Sequence, residues 1–246
     1  LFIKENKSRK TIYYDRIAPF INGYAFVQKN NKFGVINEIG NEIIPCIYND
    51  IFNHDRINAY KEKDLFGFMN DKFEIQTDAI YTNYKFIDKN CIAVSKEKLW
   101  GLIDLNYNEL TLCRYQEIKS LCNGFIAACD SDKWGYIDIK GNVIIPFSYQ
   151  EVSDFSQDKT AIVKESHYKW YIINNKGTVL SEIRGTYDEF TSFYNGLSIY
   201  LYPSRNYYGV IDLLGNIVID KCDSAEFYKE GILIKQYIIR GYHHRN

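Results

Sequence analysis

Three aspartates, Asp104, Asp138 and Asp212, are the first residues in this 246-residue chain to test for chemistry, since a positioned carboxyl can act as general acid or base. Each follows an isoleucine (Ile103, Ile137, Ile211) and holds the same place in a recurring pattern. A catalytic centre needs such a group once, whereas a group present in every copy serves the backbone of every copy. The expected role is therefore hydrogen bonding to the adjoining turn. His54 and His167 recur nowhere and carry no evident partner, which reads as packing or surface. His243 and His244 lie in a terminal tail and make no designed site.

The six cysteines, Cys46, Cys91, Cys113, Cys122, Cys129 and Cys222, contain no C-x-x-C pair, and no histidine stands at zinc-ligand spacing from them. Cys113 and Cys46 hold the same repeat position, and a nucleophile would need a base that does not recur beside it. An even count is compatible with the disulfide framework of an exported protein. The better reading is free thiols acting as small hydrophobes in strands, which favours a reducing, cytoplasmic location. A glycine-rich phosphate loop and a G-x-S-x-G elbow are both missing. The chain is expected not to be an enzyme and to need neither cofactor nor metal.

The elements around these residues follow from composition and periodicity. Tyr (22) and Phe (15) far outnumber Met (1) and Pro (4), a bias toward pleated, half-buried surfaces. With 30 basic and 31 acidic residues the net charge is -1, so the basic excess that phosphate contacts demand is missing and nucleic acid is not an expected partner. No apolar run approaches the ~18 residues of a membrane span, and no signal-type start is present. The chain begins at Leu1, which is compatible with a removed leader or a longer parent chain.

Self-similarity decides the architecture. Ala25, Ala59, Ala93, Ala127 and Ala161 recur at one constant interval of about 34 residues, with Ser198 and Leu233 in the matching place of two stretched copies. An aromatic-glycine pair follows each alanine: Phe33-Gly34, Phe66-Gly67, Trp100-Gly101, Trp134-Gly135 and Tyr208-Gly209, with Trp170-Tyr171 lacking the glycine. Then come an apolar residue with Asp or Asn, a turn that often holds glycine (Gly40, Gly141, Gly177, Gly215), an apolar run, and a closing tyrosine (Tyr48, Tyr81, Tyr115, Tyr149, Tyr187).

From Lys133 to Tyr149 one copy reads KWGYIDIKGNVIIPFSY. This resembles the WG (KWG) repeat family, whose unit has the form K-W-G-[LVY]-I-D-x-x-G-x-x-[IV]-I-P-x-x-Y. The resemblance covers essentially the whole chain. It is close around Gly34, Gly101 and Gly135, fair around Gly67 and Gly209, and weakest around Trp170, where glycine and proline are both lost. Members of that family are mostly without assigned activity and are often joined to effector domains. The resemblance thus implies recognition or scaffolding.

Each unit holds three short apolar stretches separated by polar turns, which predicts an all-β, three-stranded meander. Trp134 to Ile137 is apolar at consecutive positions, so both faces of that strand must be covered, and neighbouring repeats must cover them. The constant alanine marks a close approach between stacked sheets, and the glycine a bulge or close contact. The expectation is a single domain over 1–246 of about seven stacked repeats: partial 1–14, then 15–48, 49–81, 82–115, 116–149, 150–187, 188–222, and partial 223–246. They would form a curved or superhelical array or, with the two partial copies paired, a closed propeller-like ring.

A scaffold repeats, but a binding surface need not. The irregular copies carry Tyr194, Tyr200, Tyr202, Arg205 and Tyr207 around a lengthened hairpin, and His167 and Tyr168 in a second lengthened loop. Insertions on one side of an array mark a binding face, and tyrosine suits a contact that is both apolar and hydrogen-bonding. The plainer reading has these tyrosines packing the last repeats. The leading expectation is a protein-interaction or scaffolding module for a partner protein or associated effector. The alternatives are a glycan-binding module of an exported or envelope protein, and an inert spacer between domains.

Overall fold

The structure, a computed structural model, describes residues 2–5, 8–11, 13–54, 57–203, 207–228 and 231–235. It divides into two compact units, Leu1–Cys113 and Arg114–Asn246. Every regular element among the described residues is a β-strand, so the chain is all-β as its composition predicts. None of them forms a helix long and apolar enough to cross a membrane.

The second unit opens with an antiparallel sheet whose strands lie in chain order: Glu117–Cys122, Phe125–Asp130, Lys133–Ile137 and Val143–Tyr149. The same order builds the next two sheets, Glu151–Val152 through Val179–Ile183 and Glu189–Phe190 through Ile217–Cys222. A hairpin, Ser224–Tyr228 with Gly231–Lys235, ends the described chain. In the first unit the sheets start at Arg16–Ile17, at Asp50–Asn53 and at Asn83–Asp88, after a hairpin of Phe2–Glu5 with Ser8–Thr11.

The repeating sheet has four strands in five cases, where three were expected. The extra strand is the segment after the closing tyrosine. It escapes periodicity because it is short and mostly polar: Glu151–Val152 has two residues, and in Glu117–Cys122 only Ile118 is buried. Pairing it with the apolar second strand requires no apolar run of its own.

The middle sheet of each unit is covered on both faces, as consecutive apolar residues demand. In the second unit Ala161, Val163 and Ile173 pack against Ala127, Tyr136 and Ile145 of the preceding sheet. Ile162, Trp170 and Ile172 pack against Phe190, Tyr200 and Ile211 of the next. In the first unit Tyr60 and Met69 meet Val35 and Ile44, while Ala59 and Phe68 meet Ile92 and Val94. The five repeating alanines and Ser198 are all buried in second strands, where opposing side chains leave room for a methyl or hydroxymethyl group.

The aromatic-glycine pair is explained by the fourth strand in three copies, whereas at Gly67 and Gly209 the ring of Tyr60 or Tyr200 fills the space a Cβ would need. A Cβ on Gly34, Gly101 or Gly135 would lie 2.6, 2.8 or 2.7 Å from the carbonyl oxygen of Ile44, Thr111 or Ile145. Ladder pairing slips at this point, with Trp134 opposite Tyr149 but Tyr136 opposite Ile145, so the fourth strand bulges over the glycine. Trp170-Tyr171 shows the converse. Trp170, Tyr171 and Ile172 pair in unbroken register with Ile183, Glu182 and Ser181, so no backbone crosses the third strand and a side chain is tolerated. In this copy the glycine and the register slip over it are lost together.

The recurring aspartates staple turns. Asp138 accepts the backbone N–H of Lys140 (2.8 Å) and of Asn142 (2.9 Å) and the Asn142 side-chain amide (2.8 Å). Asp104 and Asp212 make the same three bonds. Gly141 completes the turn at φ +83°, in the left-handed region. For each carboxyl, partial desolvation acts to raise the pKa, but the asparagine side chain and backbone N–H groups outweigh it and the net shift is downward. A carboxylate whose folded pKa lies below its unfolded value near 3.9 adds stability above that value and loses it as pH falls through the folded pKa. The urea midpoint of Asp138→Asn should therefore lie below that of the parent at neutral pH and converge on it below about pH 4. Asparagine keeps the two backbone bonds, as Asn174 does at 2.9 and 3.0 Å. A gap that is constant with pH would mean the carboxylate charge is not what stabilises the turn.

Candidate functional site

The residues singled out around the lengthened hairpins differ in exposure and in the end of the sheet they occupy. Tyr168 is 64% exposed at the tip of the turn joining Thr160–Ser166 to Lys169–Asn174, with the exposed His167 ring 4.5 Å from its own. Tyr207, 41% exposed, ends the hairpin after Leu197–Leu201 and carries Lys221 Nζ over its ring at 5.6 Å. Tyr194 is equally exposed but precedes that strand, so it stands at the opposite end of the sheet, 5.4 Å from Phe227.

Tyr200 is 1% exposed and packs inside the core with Tyr187 at 4.6 Å, so its ring is closed to any partner. Tyr202 is half-buried against the same cluster, and its hydroxyl donates to Asp220 Oδ1. Burial raises the pKa of both hydroxyls, as does the hydrogen bonding between them and to Asp220 for Tyr200 and Tyr202 respectively. The tyrosines of this hairpin thus divide into a packing pair, Tyr200 and Tyr202, and an accessible one, Tyr207. Arg205 lies outside the described residues, as do His243 and His244.

His54, in the first unit, lies beside Phe86 (rings 4.7 Å apart), and its Nε2 is 3.0 Å from the Tyr84 hydroxyl. All six cysteines are free thiols. Burial raises the pKa of each, that of Cys91 to about 12, which holds them as protonated hydrophobes.

A cleft of about 770 Å³ lies within the second unit. The first strands of its three larger sheets line it: Lys119 from Glu117–Cys122, Glu151 and Val152, and Glu189 and Phe190. First strands end their sheets, and just after Glu151–Val152 the Asp154 N–H donates to Ser192 Oγ at 3.1 Å. Trp134 and Trp170 supply aromatic wall, each with a lysine ammonium 4.9 Å from its ring: Lys119 over Trp134 and Lys164 over Trp170. Lys119 also donates to the Val152 carbonyl at 2.9 Å, and Lys164 pairs with Glu151 at 2.6 Å. Asp154 and Asp188 add carboxylates, so the described lining holds four carboxylates and two ammonium groups.

Trp170 is 3% exposed, wedged between Lys164 and Phe190, and its Nε1 is the buried side-chain polar atom that lacks a hydrogen-bond partner among the described residues. An orphaned buried donor costs about 1–3 kcal/mol. Sequence reading overlooked this cleft, but a signal was present. After the closing tyrosine an acid recurs at the second position, as Asp50, Glu117, Glu151 and Glu189, and Lys85 and Lys119 precede Trp100 and Trp134 at equal spacing. Polar residues in a segment taken for a connection gave no reason to group them.

Tandem antiparallel sheets of three or four strands, most with an aromatic-glycine pair and each with an Asp- or Asn-stapled turn, define an all-β repeat protein. The chain belongs to the WG-containing repeat family, whose pattern matches residues 11–33, 33–55, 66–100, 100–134, 134–170 and 208–234. The stretch left unmatched after Trp170 contains the copy without glycine. No curated protein matches the chain. Among solved structures, a eukaryotic initiation factor aligns over 90% of this chain and 71% of its own at 11% identity and TM-score 0.49. Hsv2 of Kluyveromyces lactis aligns over 79% and 71% at 12% identity and TM-score 0.44. Both likenesses are too distant to bear on function.

Proposed function

We propose that the chain is a non-catalytic interaction module that recognises a partner protein. The observation that carries this reading is the charged cleft of the second unit, built from three sheet edges on a rigid repeat scaffold. Its volume is that of a ligand site, but its lining is far more charged than the apolar walls typical of small-molecule pockets. Recurrence of the aspartates as turn staples supports a non-catalytic role, and six free, protonated thiols suit a reducing compartment such as the cytoplasm.

Glycan binding has less support. Sugar rings stack on open aromatic faces, whereas Trp100, Trp134 and Trp170 each carry a lysine over the ring at 5.0, 4.9 and 4.9 Å. Stacking would fall to Tyr168, Tyr194 and Tyr207.

The test is capture of proteins from native lysate of the source by the immobilised chain, with competition by free chain. At least one protein should be retained and displaced. Retention of polysaccharide alone would favour the glycan reading, and retention of nothing would leave a spacer. The paired substitution His167→Ala/Tyr168→Ala should leave the unfolding midpoint within about 0.5 kcal/mol of the parent, because both side chains are exposed. If that tip is also a contact, capture should weaken about tenfold, the scale of losing about 1.4 kcal/mol of binding; unchanged capture removes the tip from the surface.

A further inference from the structure

The fourth strands of the second unit, at the other end of each sheet from the first strands that line the cleft, carry a row of bare aliphatic side chains. Val143, Val179 and Ile217 hold one position in three successive sheets, each paired with the last isoleucine of its third strand, Ile137, Ile173 or Ile211. With Leu180, Val218 and Leu214 beside them in sequence, they are 50% to 71% exposed. The sheets meet along this rim. A Cβ on Gly177 would lie 3.5 Å from Ile145 Cγ2, and Ser181 Oγ donates to the Leu214 carbonyl at 2.6 Å, so each turn rests on the fourth strand of the sheet before it. Leu214 stands where the two earlier turns have Lys140 and Lys176, which makes the row more apolar than the repeat requires.

A bare apolar patch on the order of 400 Å² is as large as a typical monomer leaves exposed, and is often functional. An interface of about 800 Å² per partner, about 65% of it apolar, needs about 500 Å² of such surface, so the row has the size of a homodimer core. Its charges point to the same occupant. Lys176 and Glu182 flank Val179 and Leu180 on either side, and both are exposed. Neither side chain has an ion-pair partner among the described residues. Two copies of residues 176–182 laid antiparallel set Val179 of each against Leu180 of the other. The same register brings the lysine of each copy to the glutamate of the other.

We infer that this row is the interface of a homodimer, with its twofold axis at Val179 and Leu180, so that Val143 of one copy meets Leu214 and Ile217 of the other. The inference goes beyond the partner-recognition reading and does not use the cleft.

Sedimentation velocity of the full chain should show a monomer–dimer equilibrium in the micromolar range. Leu180→Glu/Leu214→Glu should stay monomeric throughout, with a circular dichroism spectrum like that of the parent, because both side chains are exposed. Leu112→Glu, at a comparably bare fourth-strand leucine of the first unit, should leave the dimer intact. Glu182→Lys sets ammonium against ammonium across the axis and should raise the dissociation constant about tenfold. Adding Lys176→Glu to it should bring the constant back to within about twofold of the parent, because the pair is then reversed in both copies.

A chain that is monomeric at every concentration, or an assembly that grows beyond two copies, would overturn the inference. So would a dimer indifferent to Leu180→Glu/Leu214→Glu, one lost in Leu112→Glu, or one that Glu182→Lys leaves unchanged. Failure of the double charge reversal to restore association would remove the antiparallel register and the axis with it.

Discussion

Replacing Tyr136 with alanine should lower the unfolding free energy of the second unit by about 3–5 kcal/mol, the range for truncating a large buried aromatic. Tyr136 is 0% exposed, with its ring 4.7 Å from Phe155 and 6.3 Å from Phe125, so nothing nearby can swing out to fill the space. It joins two sheets, because Phe155 follows the first strand of the next repeat and the Tyr136 hydroxyl donates to the Ser153 carbonyl at 2.7 Å. Burial pushes that hydroxyl pKa well above 10. Tyr136→Phe separates the two contributions. It keeps the ring and removes one hydrogen bond, so it should cost about 1 kcal/mol. Urea unfolding monitored by tryptophan fluorescence reads both, since Trp134 and Trp170 report on the second unit. An alanine variant losing less than about 1 kcal/mol would mean that the two sheets do not depend on this contact.

Gly135→Ala is the second large effect, and it discriminates between two uses of glycine. The added methyl would stand 2.7 Å from the Ile145 carbonyl oxygen and 2.9 Å from the Phe147 nitrogen, both backbone atoms of the bulged fourth strand. Overpacking against atoms that cannot rotate away should cost about 1–3 kcal/mol or more. Gly124, at φ +90° with open space around its would-be Cβ, makes the comparison. Gly124→Ala should cost about 1 kcal/mol, from backbone conformation alone. Equal losses at the two positions would refute the bulge as the reason for the aromatic-glycine pair. The native Tyr171, where the register is unbroken from Trp170 to Ile172, shows that the fold accepts a side chain there once the crossing backbone is withdrawn.

Much was legible from residues alone because the repeat multiplies each signal. One aspartate after isoleucine says little, but the same residue before each of several turns identifies a backbone staple, and Asp104, Asp138 and Asp212 make identical bonds. The consecutive apolar run from Trp134 to Ile137 required cover on both faces, which neighbouring sheets supply. All-β architecture, the length of the repeat and membership of the WG-repeat family follow from such local, repeated constraints.

Tertiary structure alone decided what depends on residues distant in the chain. The first strand of the repeating sheet was hidden because a polar two-residue segment such as Glu151–Val152 becomes a strand only by pairing with Lys164 and Val163. The tyrosines of the lengthened hairpin look alike as letters, yet packing buries Tyr200, ties Tyr202 to Asp220 and leaves Tyr207 accessible. The cleft gathers Lys119, Glu151, Lys164, Trp170 and Glu189 from three repeats. Periodicity reports what every copy shares, and it is blind to a site assembled from the places where copies differ. The charged lining and an orphaned indole N–H exist only once those copies are packed.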